Sequence, residues 1–135
     1  MDEFVVETVA VGMDTSALMM PIECNIRVFD ELDRLFGHGV ADLIVPTAVL
    51  DELDRLAEGH GEEAKAASVG KDLANRCRVV ETNESYADDA IVELAEDGLF
   101  AYVVTNDRPL RDRLLSRGVR VIGVRGTNRL GITEP

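Results

Sequence analysis

The sequence has few of the features that mark several common classes of protein. It contains no tryptophan and two cysteines among its 135 residues, and only two of its 14 basic residues are lysines. Cys24 and Cys77 belong to no CxxC pair or Cys/His cluster, which argues against a zinc site and favours a reduced compartment. No apolar run approaches the roughly 18 residues of a membrane helix, and Met1, Asp2 and Glu3 form an acidic start where a signal peptide is basic. We therefore expect a cytoplasmic protein that does not span a membrane.

Motifs for nucleotide binding and for serine nucleophiles are also absent. There is no GxGxxG and no Walker loop, and Ser16 has no nearby His and Asp in the order of a hydrolase elbow. The length predicts a single domain over residues 1–135, because a chain of this size can bury its apolar surface around one core. No repeat or low-complexity linker divides it.

Acidic residues are present in excess. The chain has 26 Asp and Glu residues against 14 Lys and Arg, which gives a net charge of −12. Self-repulsion of this size disfavours the compact state in dilute buffer. One interpretation is an ordinary acidic protein. The one we favour is a halophilic protein adapted to molar internal salt, where the screening length shrinks to about 3 Å and most of the repulsion disappears.

The basic residues are concentrated at the C-terminal end. Residues 1–106 have a net charge of −16, whereas residues 107–135 have a net charge of +4. A basic segment on an acidic body is a candidate RNA-binding surface, and an equally weighted alternative is that these arginines pair with nearby carboxylates. The RNA-binding interpretation would use Arg108, Arg111, Arg125 and Arg129.

Apolar runs alternate with segments of helical periodicity. We predict strands ending near residue 14 and at 43–45, 79–80, 100–105 and 119–124. Predicted helices lie between them: one from Pro21 to Phe36, two over 47–58 and 62–76, one capped by Asp88 or Asp89, and one over 107–117. The tail from residue 125 has little pattern. Alternating strands and helices predict a three-layer α/β/α sandwich with a central parallel sheet.

Four acids stand at places where a functional site would form in such a fold. Asp14 and Asp107 each follow an apolar strand, Asp89 begins a helix, and Glu52 lies inside a helix among core positions. Ligands of open α/β sheets bind beyond the carboxyl ends of the strands, where the strand order reverses. Taken singly, each acid has an ordinary explanation as a turn residue, a helix cap or a surface residue. Together they predict one shared acidic site.

A hard divalent cation is the natural partner for these carboxylates. Burying a carboxylate without a partner is costly, and basic residues are sparse in sequence near Asp14, Glu52 and Asp89. Mg²⁺ and Mn²⁺ prefer oxygen ligands and can activate water and stabilise a leaving phosphodiester oxygen. The side chains beside the acids could orient them; these are Thr15, Ser16, Thr105 and Asn106.

These motifs resemble those of the PIN-domain ribonuclease family. The likeness covers nearly the whole chain, and it is closest to the archaeal branch that is similar to the eukaryotic small-subunit ribosomal-RNA-processing nuclease. The motifs that carry it are Met13-Asp14-Thr15-Ser16-Ala17-Leu18, Val45-Pro46 with Val49-Leu50-Asp51-Glu52-Leu53, Tyr86-Ala87-Asp88-Asp89-Ala90-Ile91, and Val104-Thr105-Asn106-Asp107.

The resemblance implies a ligand set and an activity. The family's metal-binding acids fall on Asp14, Glu52, Asp89 and Asp107, with Asp88 acting as a helix cap or making a second, water-mediated contact. Ser16 stands where the family often has Asn, so it keeps a hydrogen-bonding oxygen on a shorter side chain. The implied activity is cleavage of single-stranded RNA with Mg²⁺ or Mn²⁺.

Three functions follow from this resemblance. The leading hypothesis is a metal-dependent endoribonuclease with a role in ribosomal RNA processing. The alternatives are a toxin ribonuclease of a toxin–antitoxin pair and a non-catalytic RNA-binding factor for ribosome assembly. PIN-like domains often pair, which makes a homodimer a further expectation, although no apolar stripe is clearly left over for a partner.

Overall fold

A computed structural model describes residues 7–135, which form a six-stranded sheet flanked by six helices. The acidic start of the chain lies outside the described residues. The strands are β1 (Val9–Met13), β2 (Ala41–Pro46), β3 (Arg78–Val80), β4 (Tyr102–Val104), β5 (Arg120–Val124) and β6 (Leu130–Thr133). The helices are α1 (Thr15–Glu23), α2 (Val28–Phe36), α3 (Thr47–Ala57), α4 (Gly61–Ala74), α5 (Ala87–Glu96) and α6 (Arg108–Leu115).

The strand order places the predicted acids at the centre of the sheet. The order is β3-β2-β1-β4-β5-β6, so the chain adds strands on one side of β1 and then on the other. The first five strands are parallel, and β1 and β4 are neighbours with Met13 opposite Val104. The predicted α/β sandwich with a parallel sheet is confirmed. The reversal of strand order falls between β1 and β4, the position where such folds bind their ligands.

One strand escaped the prediction, because the tail after residue 125 looked patternless. β6 runs antiparallel to β5, with Leu130 opposite Val124. A tight turn connects the two strands, and in it the Arg125 N–H donates to the Arg129 carbonyl at 2.8 Å. Gly126 and Asn128 supply the positive φ angles of 67° and 59° that close the turn.

Two side chains of α2 hold the start of β6. Glu31 Oε1 accepts from the Leu130 N–H at 2.9 Å, and Arg34 donates to the Leu130 carbonyl at 2.8 Å. The two side chains also pair with each other at 2.9 Å. Both backbone groups of Leu130 that point away from β5 therefore have a partner, and the buried Leu130 side chain packs into the core.

The predicted helix from Pro21 to Phe36 is wrong, since it is two helices. Pro21 lies inside α1, near its end, and α2 begins only at Val28. Asn25 adopts a positive φ of 53° between them, which no α-helix can accommodate. The apolar spacing continues in phase across the break, which is why periodicity alone indicated one helix.

The apolar residues of the strands and of the inward helix faces form one core. The largest fully buried side chains come from every layer of the fold: Met13, Leu18, Met20, Ile26, Leu32, Ile44, Leu53, Ile91, Leu110, Leu114, Ile122 and Leu130.

None of the helices within residues 7–135 is long and apolar enough to cross a membrane.

Candidate active site

Asp14 lies at the carboxyl end of β1 and is almost completely buried, with 2% of its surface exposed. Its N–H donates to the Val104 carbonyl at 3.2 Å, which ties the ends of β1 and β4 together. It occupies the N-cap position of α1, yet its carboxylate caps no helix N–H. The common explanation of an Asp before a helix, that it caps the helix, therefore fails here.

A directed hydrogen-bond network holds one oxygen of this carboxylate. The hydroxyls of Ser16 and Thr105 each donate to Asp14 Oδ2 at 2.8 Å. The same hydroxyl oxygens accept from backbone N–H groups, Ser16 from Asn106 at 2.9 Å and Thr105 from Asp107 at 3.0 Å. Because each hydroxyl accepts from an amide, its own proton is directed at Asp14. Ser16 thus reaches the Asp14 carboxylate although its side chain is shorter than that of asparagine.

The other oxygen of Asp14 has no partner. Within residues 7–135, Oδ1 is buried and accepts no hydrogen bond. Burial raises the pKa of the Asp14 carboxyl to about 6, against the bonds from Thr105 and Ser16, which lower it, and with a further rise from the charge of Asp88. A buried acceptor without a donor is costly, and either a proton or a bound cation at Oδ1 would remove that cost.

The two carboxylate oxygens of Asp107 have different surroundings. Asp107 is the N-cap of α6, which is the helix-cap role considered for it from the sequence, and its Oδ1 accepts from the Leu110 N–H at 2.9 Å. In the described part of the chain, Oδ2 accepts no hydrogen bond. The cap fixes the side chain at the end of β4, beside the residues that hold Asp14.

Asp88 is the acid of α5 that belongs to the acidic site. The helix begins at Ala87 after the N-cap residue Tyr86, so neither Asp88 nor Asp89 caps it, contrary to the prediction. The pKa of the Asp88 carboxyl is raised by its partial burial, then by the charges of Asp107 and Glu52. Asp107 and Glu52 therefore repel Asp88, and Asp88 in turn raises the pKa of Asp14.

Asp89, which sequence and family resemblance placed directly on the metal, is oriented differently. Its carboxylate pairs with Arg113 of α6 at 3.0 Å. It lines a separate depression whose other acidic residues are Glu84, Glu93, Glu96 and Asp97. Successive side chains on a helix point about 100° apart, as 3.6 residues per turn requires, so only one of the two neighbouring acids can face the site.

Glu52 reaches the site from α3. It forms a loose ion pair with Arg55 at 3.6 Å, and its side chain is about one-third exposed, at 32%. Among residues 7–135, no three His, Cys, Asp or Glu side chains are grouped tightly enough to form a ready metal cage. The charge of Glu52 nevertheless raises the pKa of Asp88, which places the two carboxylates near each other.

The remaining predicted orienting residues contribute in different ways. Thr15 is buried, but within the described residues its hydroxyl has no hydrogen-bond partner. Asn106 contributes its backbone N–H, whereas its side chain lies 3.9 Å from the sulfur of Cys24. The oxygen-holding role therefore falls to Ser16 and Thr105.

A cavity of about 350 Å³ opens beside Asp107, between α6 and the β5–β6 hairpin. Three of the predicted RNA-binding arginines line it, Arg108, Arg111 and Arg125, whereas Arg129 lies in a different depression. Two glycines that shape this cavity were not identified from the sequence, because β6 was not predicted and so nothing indicated that they face each other. These are Gly123 and Gly131, which are opposite each other in the β5–β6 ladder.

Comparison with known proteins identifies the family of this chain. A family model described as "PIN like domain" matches residues 11–127, from β1 to the turn before β6. This chain belongs to the PIN-like domain family. Ribonuclease VapC4 of Methanocaldococcus jannaschii is 25% identical over 115 residues, which cover 83% of this PIN-like chain and 87% of that protein. The predicted family is confirmed.

Solved structures share the fold of this PIN-like domain. The structure of the PIN domain endonuclease Utp24 superimposes with a TM-score of 0.73 and 22% identity, covering 93% of this chain and 92% of that one. A domain of a functionally unknown protein from Methanocaldococcus jannaschii superimposes with a TM-score of 0.64 and 17% identity, covering 89% and 94%. At these identities the likeness concerns the fold.

Proposed function

We propose that this protein is a metal-dependent endoribonuclease whose active site lies at the carboxyl ends of β1 and β4. The observation that carries the proposal is the Asp14 carboxylate. One of its oxygens is held by Ser16 and Thr105, and the other is buried without a donor. Oxygen donors of this kind, surrounded by further acids, suit Mg²⁺ or Mn²⁺.

The proposed ligands are Asp14, Glu52, Asp88 and Asp107, with Asp88 in the position that the family resemblance assigned to Asp89. The bound ion would supply Lewis-acid chemistry, activating a water and stabilising the charge that develops on the phosphodiester. The protein's own residues fix the site. Ser16 and Thr105 hold Asp14 by donating to it, and those bonds favour its ionised form.

The proposed substrate is RNA. Similarity to a ribonuclease over most of the chain supports it, and the resemblance of the acidic motifs to the ribosomal-RNA-processing branch of the PIN family is the basis for proposing a function in ribosomal RNA processing. The alternative is a toxin ribonuclease of a toxin–antitoxin pair, which would share the ribonuclease chemistry that the similarity to Ribonuclease VapC4 supports. Mapping the RNA 5′ ends that accumulate in cells depleted of the protein separates the two. Ends confined to pre-ribosomal RNA support processing, and growth arrest on expression, relieved by a neighbouring gene, supports the toxin.

We expect the purified chain to cleave a single-stranded RNA oligonucleotide in molar KCl when Mg²⁺ or Mn²⁺ is present. EDTA should stop the reaction and excess Mn²⁺ should restore it, since the acids alone supply no positive charge at the phosphate. A fluorescently labelled substrate resolved on a denaturing gel measures this directly. Binding without cleavage under every metal condition would instead favour the non-catalytic assembly factor.

We also propose that the protein is halophilic. Its exposed ion pairs, such as Arg27–Asp30 and Arg120–Glu134, are each worth about 1 kcal/mol or less. Screening therefore removes little attraction, whereas it relieves the repulsion of a net charge of −12.

The midpoint of thermal unfolding should consequently rise as KCl increases from tenths molar to molar. At low salt, Mn²⁺ should raise it further because a ligand of the native state stabilises that state. Circular dichroism melts measure both effects, and Asp14→Asn is the control that should lose most of the Mn²⁺ effect while keeping that of KCl. Melting temperatures indifferent to KCl would contradict the halophilic interpretation.

A further inference from the structure

The cavity beside Asp107 is lined by cations in a protein that is otherwise strongly acidic. Arg108 and Arg111 come from α6, and Arg125 follows β5. Asp107 is the single acid among its lining residues. Thr105, Asn106 and Asp107 line the cavity and also belong to the network around Asp14, so the two sites are continuous.

These arginines have unused hydrogen-bond donors. Within residues 7–135, neither Arg108 nor Arg125 forms an ion pair. Arg125 donates to the backbone carbonyl of Ile132 at 3.1 Å. The Nε atom of Arg111 is buried and has no acceptor in the described part of the chain, and this guanidinium makes only a 3.4 Å contact with Asp112. The Arg111 side chain as a whole is 39% exposed, so its terminal N–H groups remain accessible to a ligand that supplies acceptors.

Two glycines make room for this arrangement. Gly123 and Gly131 face each other across the β5–β6 ladder. A Cβ atom on Gly131 would lie 2.8 Å from Cδ and Nε of Arg125, so the Arg125 side chain can lie across β6 only because residue 131 has no side chain. A Cβ on Gly123 would come within 3.3 Å of the Thr105 carbonyl, so there too the floor of the cavity tolerates little extra volume.

We propose that this cavity binds a backbone phosphate of the RNA strand next to the phosphodiester that is cut. The inference rests on the proposed function for the identity of the ligand. Guanidinium groups present planar forks of donors that match phosphate oxygens and remain charged at any working pH. In molar salt, where release of counterions contributes little, such directed contacts hold RNA better than net charge does.

Continuity with the acidic site defines which phosphate is held. Asp107 is both a proposed metal ligand and a lining residue of the cavity, so a strand with one phosphate at Asp14 would place a neighbouring phosphate at Arg111 and Arg125. The phosphate subsite thereby sets the register of the strand in the active site. It also supplies the positive charge that the acids around Asp14 lack when RNA approaches.

The test measures RNA binding separately from cleavage. Asp14→Asn, which we expect to be inactive, is titrated in the presence of Mg²⁺ with a short single-stranded RNA in which single phosphates are replaced by neutral methylphosphonates. One internal replacement should weaken binding to this parent, on the order of tenfold, the size of one charge-assisted contact. The same replacement should have no effect when Arg111→Gln and Arg125→Gln are added, because the contact has already been removed.

Two further variants control for charge and for folding. Arg27→Gln with Arg117→Gln removes the same charge from arginines outside the cavity, each of which pairs with an acid, and should leave RNA affinity nearly unchanged. Gly131→Ala changes no charge but displaces the flexible end of Arg125, so it should weaken binding about as much as Arg125→Gln. Thermal melts of all variants verify that they are folded.

The outcomes separate this inference from the proposed function. The subsite would be overturned if the double variant of Arg111 and Arg125 bound RNA as tightly as the double variant of Arg27 and Arg117. It would also be overturned if only a 5′-terminal methylphosphonate had an effect that depends on Arg111 and Arg125. An affinity for inorganic phosphate equal to that for the oligonucleotide would overturn it as well. If an internal methylphosphonate weakens binding only when Arg111 and Arg125 are present, but the protein cleaves no RNA, the subsite is supported and the nuclease function is contradicted. If the protein cleaves RNA but the methylphosphonate effect does not depend on these arginines, the nuclease function is supported and the subsite is contradicted.

Discussion

Asp14→Asn is expected to abolish metal-dependent RNA cleavage, by on the order of a thousandfold or more, since a metal contributes several kcal/mol to stabilising the transition state. Asparagine keeps the size of the side chain and an oxygen that accepts from Ser16 and Thr105. Depending on the orientation of its amide, asparagine places either an NH2 group or a neutral carbonyl oxygen where Oδ1 of Asp14 stands. Neither group attracts a cation as a carboxylate does. The fold should survive because the strand ends stay tied through the Asp14 backbone.

The same change should alter the pH dependence of stability. The pKa of Asp14 rises from 3.8 to about 6 on folding. The native state therefore holds this proton more tightly than the unfolded state, and stability falls as pH rises from about 4 through about 6. Above that range, ionised Asp14 without a metal lowers the free energy of unfolding by about 3 kcal/mol. This is an upper limit to what Asp14→Asn can regain, because the amide N–H groups of the asparagine lack acceptors.

Urea unfolding of both proteins between pH 4 and pH 8 in EDTA measures this difference. The parent should lose stability relative to Asp14→Asn across the window, and Mn²⁺ should restore the parent alone. Cleavage by a folded Asp14→Asn variant with Mn²⁺ would remove Asp14 from the active site. Parallel pH profiles for the two proteins would show that Asp14 is not desolvated.

The neighbouring acids Asp88 and Asp89 offer a matched pair of variants on one turn of α5. Asp88→Asn should reduce cleavage by on the order of a hundredfold, because a ligand is lost while the rest of the site remains. Asp89→Asn removes the same charge from the same helix turn but breaks only the ion pair with Arg113. Its effect on cleavage should be severalfold at most.

The comparison is decided by kcat for RNA at saturating Mn²⁺ and by the Mn²⁺ concentration that gives half-maximal rate. Asp88→Asn should change both, whereas Asp89→Asn should change neither substantially. The reverse order of effects would return Asp89 to the metal and contradict the orientation of α5. Equal losses would indicate that both act through the total charge near the helix start rather than through ligation.

Sequence patterns can locate the two strand-end acids because the fold class itself defines where they meet. An apolar strand followed by a polar turn identifies the end of β1 and of β4, and parallel strands bring those ends to one edge. The network around Asp14 follows from the same stretches. Ser16 and Thr105 are close to the acids in sequence, although only the structure shows that both donate to one oxygen.

The choice between Asp88 and Asp89 is beyond the reach of sequence patterns. It depends on the rotation of α5 about its axis, which is determined by how Ala87, Ala90 and Ile91 pack. A cap residue among the acids would have fixed the rotation, but the helix begins one residue before them. Family resemblance left the doublet ambiguous for the same reason.

Long-range contacts account for the other differences. β6 is four residues long, and it is defined by its pairing with β5 and by the α2 side chains that reach Leu130 from about one hundred residues earlier in the chain. Local composition carries no trace of such partners. The break between α1 and α2 depends on a single left-handed residue, Asn25, which the continuing apolar period conceals.

The side chains that hold β6 also determine how the sheet meets other molecules. The exposed edge of a sheet is a template on which another strand can assemble. Here the outward carbonyls of Leu130 and Ile132 already receive guanidinium groups, from Arg34 and Arg125. The strand at the opposite edge, β3, is three residues long and so presents few backbone groups for pairing. In concentrated salt, where we propose that the protein works, charge no longer keeps molecules apart. The two blunted edges would then limit edge-to-edge pairing of sheets, and we expect the predicted homodimer to form through helices or loops.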